Sequence, residues 1–205
     1  MQQVVDKIMA PHRPMLSEIV GHTEIELHRN TIFEAPMDNL LLKAITEAPG
    51  ATIAFSNGWR YGAPILPGPV TRNDLWNIVP TNLPVSLTQL IGREIWEMLE
   101  ENLEHTFASD PYRQMGGYVK RTFDLKVNIK IGNPKGARVQ SIFAEGAPLD
   151  KERLYTAAFV TTQGISKKYG RNRRDLEMHA VQALESYFAK HPSQSIGMRG
   201  SVVSI

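Results

Sequence analysis

Residues 123–131 read FDLKVNIKI, with apolar side chains at every second position and Asp124, Lys126, Asn128 and Lys130 between them. A period of two puts one set of side chains into a core and the other toward water, so the stretch predicts a strand. The turn-forming NPKG follows, and ARVQSIFA then returns as a hairpin partner. A hairpin forces antiparallel neighbours, which argues against a chain of alternating strands and helices wound into a parallel sheet.

The rest of the chain supplies isolated helices and further short strands. Val4, Val5, Ile8 and Met9 have helical spacing before Pro11 and Pro14, which predicts a short lead-in helix ended by proline. GHTEIELHR reads as a weak strand, MDNLLLKAITEA as a helix and ATIAF, residues 51–55, as a buried strand. Thr71 with Asp74 three residues later resembles a capping box. VSLTQLI alternates as a strand does, and Gly92 separates it from an amphipathic helix with Ile95, Met98, Leu99, Leu103 and Phe107 on one face. Glu94, Glu97, Glu100, Glu101 and Glu104 line the remainder and are expected to be a solvated face. PLDKERLYTAAFV predicts a turn and a strand, and DLEMHAVQALESYFAKH a closing helix. The pattern predicts an α+β fold, a mixed or antiparallel sheet with packed helices.

At 205 residues with 42% hydrophobic and 21% charged side chains, the chain fits one globular domain. A net charge of +2 gives no general attraction to nucleic acid, and none is expected as a partner. No run approaches the roughly 20 apolar residues that span a bilayer, so no membrane association is expected. The absence of cysteine removes disulfides, thiol catalysis and cysteine-held zinc, and leaves the chain indifferent to redox compartment. A periplasmic location follows where the parent protein carries a signal peptide, a cytoplasmic one otherwise.

Catalytic constellations are sparse. The six histidines stand at least six residues apart, and none forms a His-x-His, Asp-x-His or Asn-His-Glu cluster. Asp175 and His179 are spaced i, i+4 on the predicted helix, a pair short of a coordination sphere, so no metal centre is expected. Gly-x-Ser-x-Gly elbows and phosphate-binding glycine loops are absent as well.

Two features can carry binding. In SNGWRYGAPILPGPVT, residues 56–71, Asn57 and Gly58 can take positive backbone dihedrals and project Arg60 between Trp59 and Tyr61. A guanidinium so held binds an oxyanion bidentately; the alternative is an ordinary strand-end turn with an exposed arginine. KKYGRNRR places five cations among residues 167–174, a flexible loop that either meets an anionic partner or is simply solvated. Between them, DPYRQMGGYVKR contributes Arg113, Gly116, Gly117, Lys120 and Arg121.

In order, VGHTEIELHR, MDNLLLKAITEA, ATIAFSNGWRYG, ILPGPVTRNDLWNIVP, LIGREIWEMLEENLE and GARVQSIFAEGAPLDKERLYTAAF resemble the C-terminal domain of the 5'-nucleotidase family over residues 15–190. Within it, Gly58-Trp59-Arg60-Tyr61-Gly62, Ile65-Leu66-Pro67-Gly68 and Asp110-Pro111-Tyr112-Arg113-Gln114-Met115-Gly116-Gly117 are most similar to the thiosulfohydrolase branch of bacterial sulfur oxidation. The resemblance implies a substrate-binding domain of a dimetal hydrolase, not catalytic alone, acting on nucleotides or sulfur esters. It implies an anionic small molecule or a carrier-bound sulfur group as ligand, met by Asn57, Gly58, Trp59, Arg60, Tyr61, Arg113, Gly116, Gly117 and Arg121. Nucleotidases of the family clamp a base between two aromatic rings, one near a GGDGF-like segment. That segment reads AFVTTQGISKKYG here, with Phe159 and Tyr169 as its aromatic residues.

The resemblance further implies that residues 1–20 are a helix linking to an N-terminal metallophosphatase domain and that 21–205 form the binding domain. No cofactor is then expected in this chain, and two divalent metals belong to the N-terminal domain. The alternative is a free-standing, non-catalytic module that holds an anionic ligand or acidic partner through KKYGRNRR.

Overall fold

Proline divides the N-terminal segment. Helix α1 (Gln2–Met9) ends before Pro11, and α2 (Arg13–Leu16) restarts with Pro14 in its first turn, where a missing N–H costs nothing. The computed structural model describes residues 1–48, 50–58, 62–115 and 118–205. The chain continues through β1 (Ile19–Thr23), α3 (Pro36–Thr46), β2 (Ile53–Ser56), β3 (Gly68–Thr71), α4 (Arg72–Ile78), β4 (Pro84–Ile91), α5 (Gly92–Phe107) and a 3₁₀ turn at Pro111–Arg113. It then forms β5 (Arg121–Phe123), β6 (Leu125–Ile129), β7 (Val139–Ala144), β8 (Ala147–Pro148), β9 (Leu154–Phe159), β10 (Arg171–His179), α6 (Ala180–Lys190), β11 (Ser193–Gln194) and β12 (Val202–Ser204).

The strands form three sheets, ordered β11-β1-β3, β10-β4-β9-β2-β5 and β12-β6-β7-β8. In the central sheet β2 and β9 are parallel while the other pairs are antiparallel. The fold is therefore α+β with mixed sheets. Alternation along the central strands splits the core in two. Ala54, Leu87 and Ala158 face α3 and α6 with Leu40, Ile45 and Leu184. Ile53, Phe55, Leu90 and Phe159 face α5 and the β6–β7 hairpin with Ile95, Leu99, Val127 and Ile142.

Several local expectations hold. Thr71 Oγ1 accepts the Asp74 amide at 3.3 Å while Asp74 Oδ2 accepts the Thr71 amide at 2.7 Å, closing the capping box. The hairpin of β6 and β7 pairs Val127 with Ile142. Gly92 opens α5 rather than preceding it, because the Asp150 carbonyl would meet any Cβ there.

Other expectations are corrected by tertiary partners. The run 123–131 is not one strand: Asp124 takes φ +58, so β5 pairs with β2 in the central sheet and β6 with β7 and β12 in another. GHTEIELHR contributes only its first residues to β1, and Leu27 makes a separate bridge to Ile65. Residues 175–179 are strand, not helix, and Asp175 and His179 lie on β10. Asn82, with φ +39, accepts the Val181 amide at 2.9 Å through its side chain, and so starts α6 at Ala180. KKYGRNRR is a loop only at its start, since β10 begins at Arg171.

The acidic face of α5 is mostly not solvated. Glu100 is buried and accepts the amides of Val139 at 2.7 Å and Arg138 at 3.2 Å. Glu94 accepts the Ile91 and Gly170 amides at 2.9 Å each, and Glu104 pairs with Arg138. Helix α5 is thus fastened to the hairpin by its carboxylates as well as by its apolar face.

Candidate functional site

Strand β2 is buried along its length and pairs Ser56 with Arg121 of β5. The chain therefore leaves the sheet at Asn57, beside Arg121. Asn57 Nδ2 donates to Gln163 Oε1 at 2.8 Å, tying the turn to the loop that follows β9. Gly58 takes φ +71, and a Cβ there would stand 2.8 Å from the Val119 carbonyl and 3.0 Å from Arg121 Nε. Only glycine fits both the dihedral and the space. Trp59, Arg60 and Tyr61, the rest of the predicted turn, lie outside the described residues, as do Gly116 and Gly117.

Arg121 sits beneath the turn, not in it. Its guanidinium is buried and donates from Nε to Asp38 Oδ2 at 3.1 Å, from one terminal nitrogen to the Thr31 carbonyl at 2.7 Å and from the other to the Ile32 carbonyl. Asp38, in the first turn of α3, also accepts from Arg29 Nε at 2.9 Å. The side chains of Asp38 and Arg121 are each 1% exposed and that of Arg29 is 4% exposed. One carboxylate thus bridges two buried guanidiniums beside Gly58. Arg113, by contrast, is exposed on the 3₁₀ turn, whose following segment is held to α5 by Met115 N to the His105 carbonyl at 2.9 Å.

Asn57 also lines a cleft of about 540 Å³ between α5 and the loop after β9, with Asn102, His105, Tyr118, Lys120, Gln163 and Lys168 in its walls. Lys120 alternates with Arg121, so one cation points to this cleft and the other to α3. Its ammonium donates to the carbonyls of Gln163 at 2.8 Å and Gly164 at 2.7 Å. Burial lowers its pKa to about 8, against a small opposing pull from Glu101. Burial pushes the Glu101 carboxyl up, but bonds from Lys168 and from Tyr169 Oη at 3.0 Å outweigh it, and the group titrates below its ordinary value.

Neither aromatic residue of the 158–170 segment is an open face. Phe159 is 1% exposed and capped by the Arg173 guanidinium 4.6 Å from its centroid. Tyr169 is buried with its hydroxyl on Glu101. Among the described residues no group of three or more His, Asp or Glu is placed to hold a metal ion. The arrangement brings together the Asn57–Gln163 pair, the Lys120 ammonium and the Asp38 carboxylate with its two guanidiniums.

Gln163, Arg29 and Asp38 were not among the residues the sequence singled out, and Lys120 was named as a nearby cation but not among those expected to meet the ligand. The available signal was the pair Lys120-Arg121 between apolar Val119 and Phe123, where strand alternation sends two cations to opposite buried sides.

Residues 16–166 match the family model described as the 5'-nucleotidase, C-terminal domain. The chain belongs to this family. A sulfate thiohydrolase, SoxB, of Thermus thermophilus superimposes with a TM-score of 0.88 at 27% identity, covering 100% of this chain and 38% of its own. A 5'-nucleotidase precursor, also of Thermus thermophilus, shares the fold at TM-score 0.81 and 18% identity, over 100% of this chain and 43% of its own. In sequence, the trifunctional nucleotide phosphoesterase protein YfkN of Bacillus subtilis is 27% identical over 76% of this chain and 11% of its own length. The domain therefore spans a minor part of each of these proteins.

Proposed function

We propose that this domain binds and orients the anionic part of a substrate for a hydrolase of nucleotides or sulfur esters, with the turn at residues 57–61 as its contact surface. The observation that carries the reading is the fixing of that turn. Asn57 is bonded to Gln163 at 2.8 Å, and Gly58 rests on Arg121, itself locked to Asp38 at 3.1 Å. Asn57 and Gly58, held from two sides beside a cleft, are a suitable start for a recognition loop. Its residue Arg60 is proposed to steady an oxyanion, with Trp59 and Tyr61 beside it, and Arg113, Gly116 and Gly117 are proposed to shape the neighbouring rim.

Two divalent metals and the attacking water are proposed to come from an N-terminal metallophosphatase domain. Among the described residues no group of three or more His, Asp or Glu is placed to hold a metal ion, and the part proposed for this chain is binding and orientation. The ligand proposed is a nucleotide, a thiosulfate-like anion or a carrier-bound sulfur group. The relative named as a sulfate thiohydrolase and the covered ring of Phe159 favour the sulfur anions over a stacked base.

A free module gripping an acidic partner through residues 167–174 has less support. Arg173 donates to the carbonyls of Ile165, Ser166 and Tyr169, and Lys168 pairs with Glu101. Titration of the chain with AMP, thiosulfate and phosphate, against Arg60→Ala, tests the proposal. Binding weakened by about tenfold or more in the variant supports it, and equal affinity removes Arg60 from the site.

A further inference from the structure

This inference rests on the reading of the turn as an anion site and adds a residue to it. An ammonium carries three donors. Two of those on Lys120 are committed to the carbonyls of Gln163 and Gly164 at 2.8 and 2.7 Å, and its side chain lines the cleft that Asn57 also lines. Its backbone amide is held by Asn102 Oδ1 at 2.7 Å, which anchors the main chain from which the side chain reaches the loop. The loop it grips is the one whose Gln163 side chain accepts from Asn57 at 2.8 Å. Lys120 therefore braces the wall against which the turn is set.

The charged groups facing it are few. Helix α5 presents Glu101 and His105, and the loop after β9 presents Lys168 and Tyr169. Glu101 attracts Lys120 through space, but its hydrogen bonds go to Lys168 and Tyr169. Arg121, next in sequence, faces Asp38 on the other side of its strand. A buried cation with a donor to spare, beside a neutral amide pair and hydrogen-bonded to no carboxylate among the described residues, is matched by a small oxyanion.

We infer that Lys120 is the fixed cation of this cleft, with two donors locking the 163–164 backbone against Asn57 and the third meeting a sulfate- or phosphate-like group lodged beside the turn. Because burial brings its pKa down to about 8, the cation, and with it the binding, is lost in mildly alkaline solution.

Sulfate keeps its charge throughout that range, so calorimetric titration with sulfate at about pH 7.5 and about pH 9.5 reads the protein alone. The wild-type chain is expected to bind about tenfold more weakly at the higher pH, and Lys120→Met about tenfold more weakly than wild type at the lower one. Lys120→Arg, permanently charged, is expected to bind with no such fall. A wild-type affinity that does not change with pH overturns the inference even where Lys120→Met fails to fold. So does a Lys120→Met chain that binds as wild type does, and either result leaves the anion reading standing. Absence of binding to sulfate, thiosulfate, phosphate and AMP by every chain overturns the anion reading and this inference with it.

Discussion

Arg121 Nε lies 3.1 Å from Asp38 Oδ2, and the other oxygen of that carboxylate takes Arg29 Nε at 2.9 Å. The contact joins the first turn of α3 to strand β5, beside Gly58, across 83 residues of sequence. Two guanidiniums are drawn into the interior by one shared anion, so the anion cannot be removed cheaply. Asp38→Asn is expected to cost about 3–5 kcal/mol, the range for breaking a buried ion pair from one side. Urea denaturation monitored by circular dichroism checks it, and a loss below about 1 kcal/mol contradicts the role given to Asp38.

Gly58→Ala tests the turn itself. The substitution meets a left-handed dihedral and the Val119 carbonyl at 2.8 Å together. A cost of about 1–3 kcal/mol is expected, accompanied by weaker anion binding, because relief of the clash shifts the turn from Arg121. Unchanged melting temperature and unchanged thiosulfate affinity would show that the turn is not held as described.

What the sequence made legible was local. The capping box of Thr71 and Asp74 is written within four residues, and the hairpin of β6 and β7 within two alternating runs and a turn. What it concealed depends on distant partners. The residues 123–131 alternate without a break, yet Asp124 turns the chain because β2 claims one half and β12 the other. Leu176, Met178 and Ala180 suit a strand as well as a helix, and Asn82, nearly a hundred residues away, decides where α6 starts. At the candidate site the sequence showed the strand-end turn that begins with Asn57 and Gly58. The roles of Lys120 and Asp38 escaped because the partners that give them meaning, Gln163, Gly164, Arg29 and Arg121, come from separate segments.

The carboxylates of α5 separate bonded from solvated positions along one helix. Glu100 accepts two amides of the β7 strand start from a buried position, while Glu97 is exposed. Glu100→Ala is expected to cost about 1–3 kcal/mol through orphaned buried amides, and Glu97→Ala to stay within about 0.5 kcal/mol. Denaturation midpoints of the two variants measured side by side test this, and equal midpoints would return the whole face to solvent.

Lys120 also ties stability to pH, and the sign follows from its direction of shift. Its pKa falls from 10.5 to about 8 on folding, so between those values the unfolded chain binds more protons than the folded one, and stability rises with pH. Below about 8 the folded chain carries the full cost of burying the ammonium; above about 10.5 that cost is gone. The difference amounts to about 3–4 kcal/mol across the window. Other lysines and tyrosines titrate nearby, so the quantity to follow is the stability of wild type relative to Lys120→Met, by urea denaturation at a series of pH values. Wild type is expected to gain on the variant as pH rises from about 8 to about 10. A constant difference would mean that Lys120 titrates as an exposed lysine does, and would remove the buried cation from the floor of the cleft.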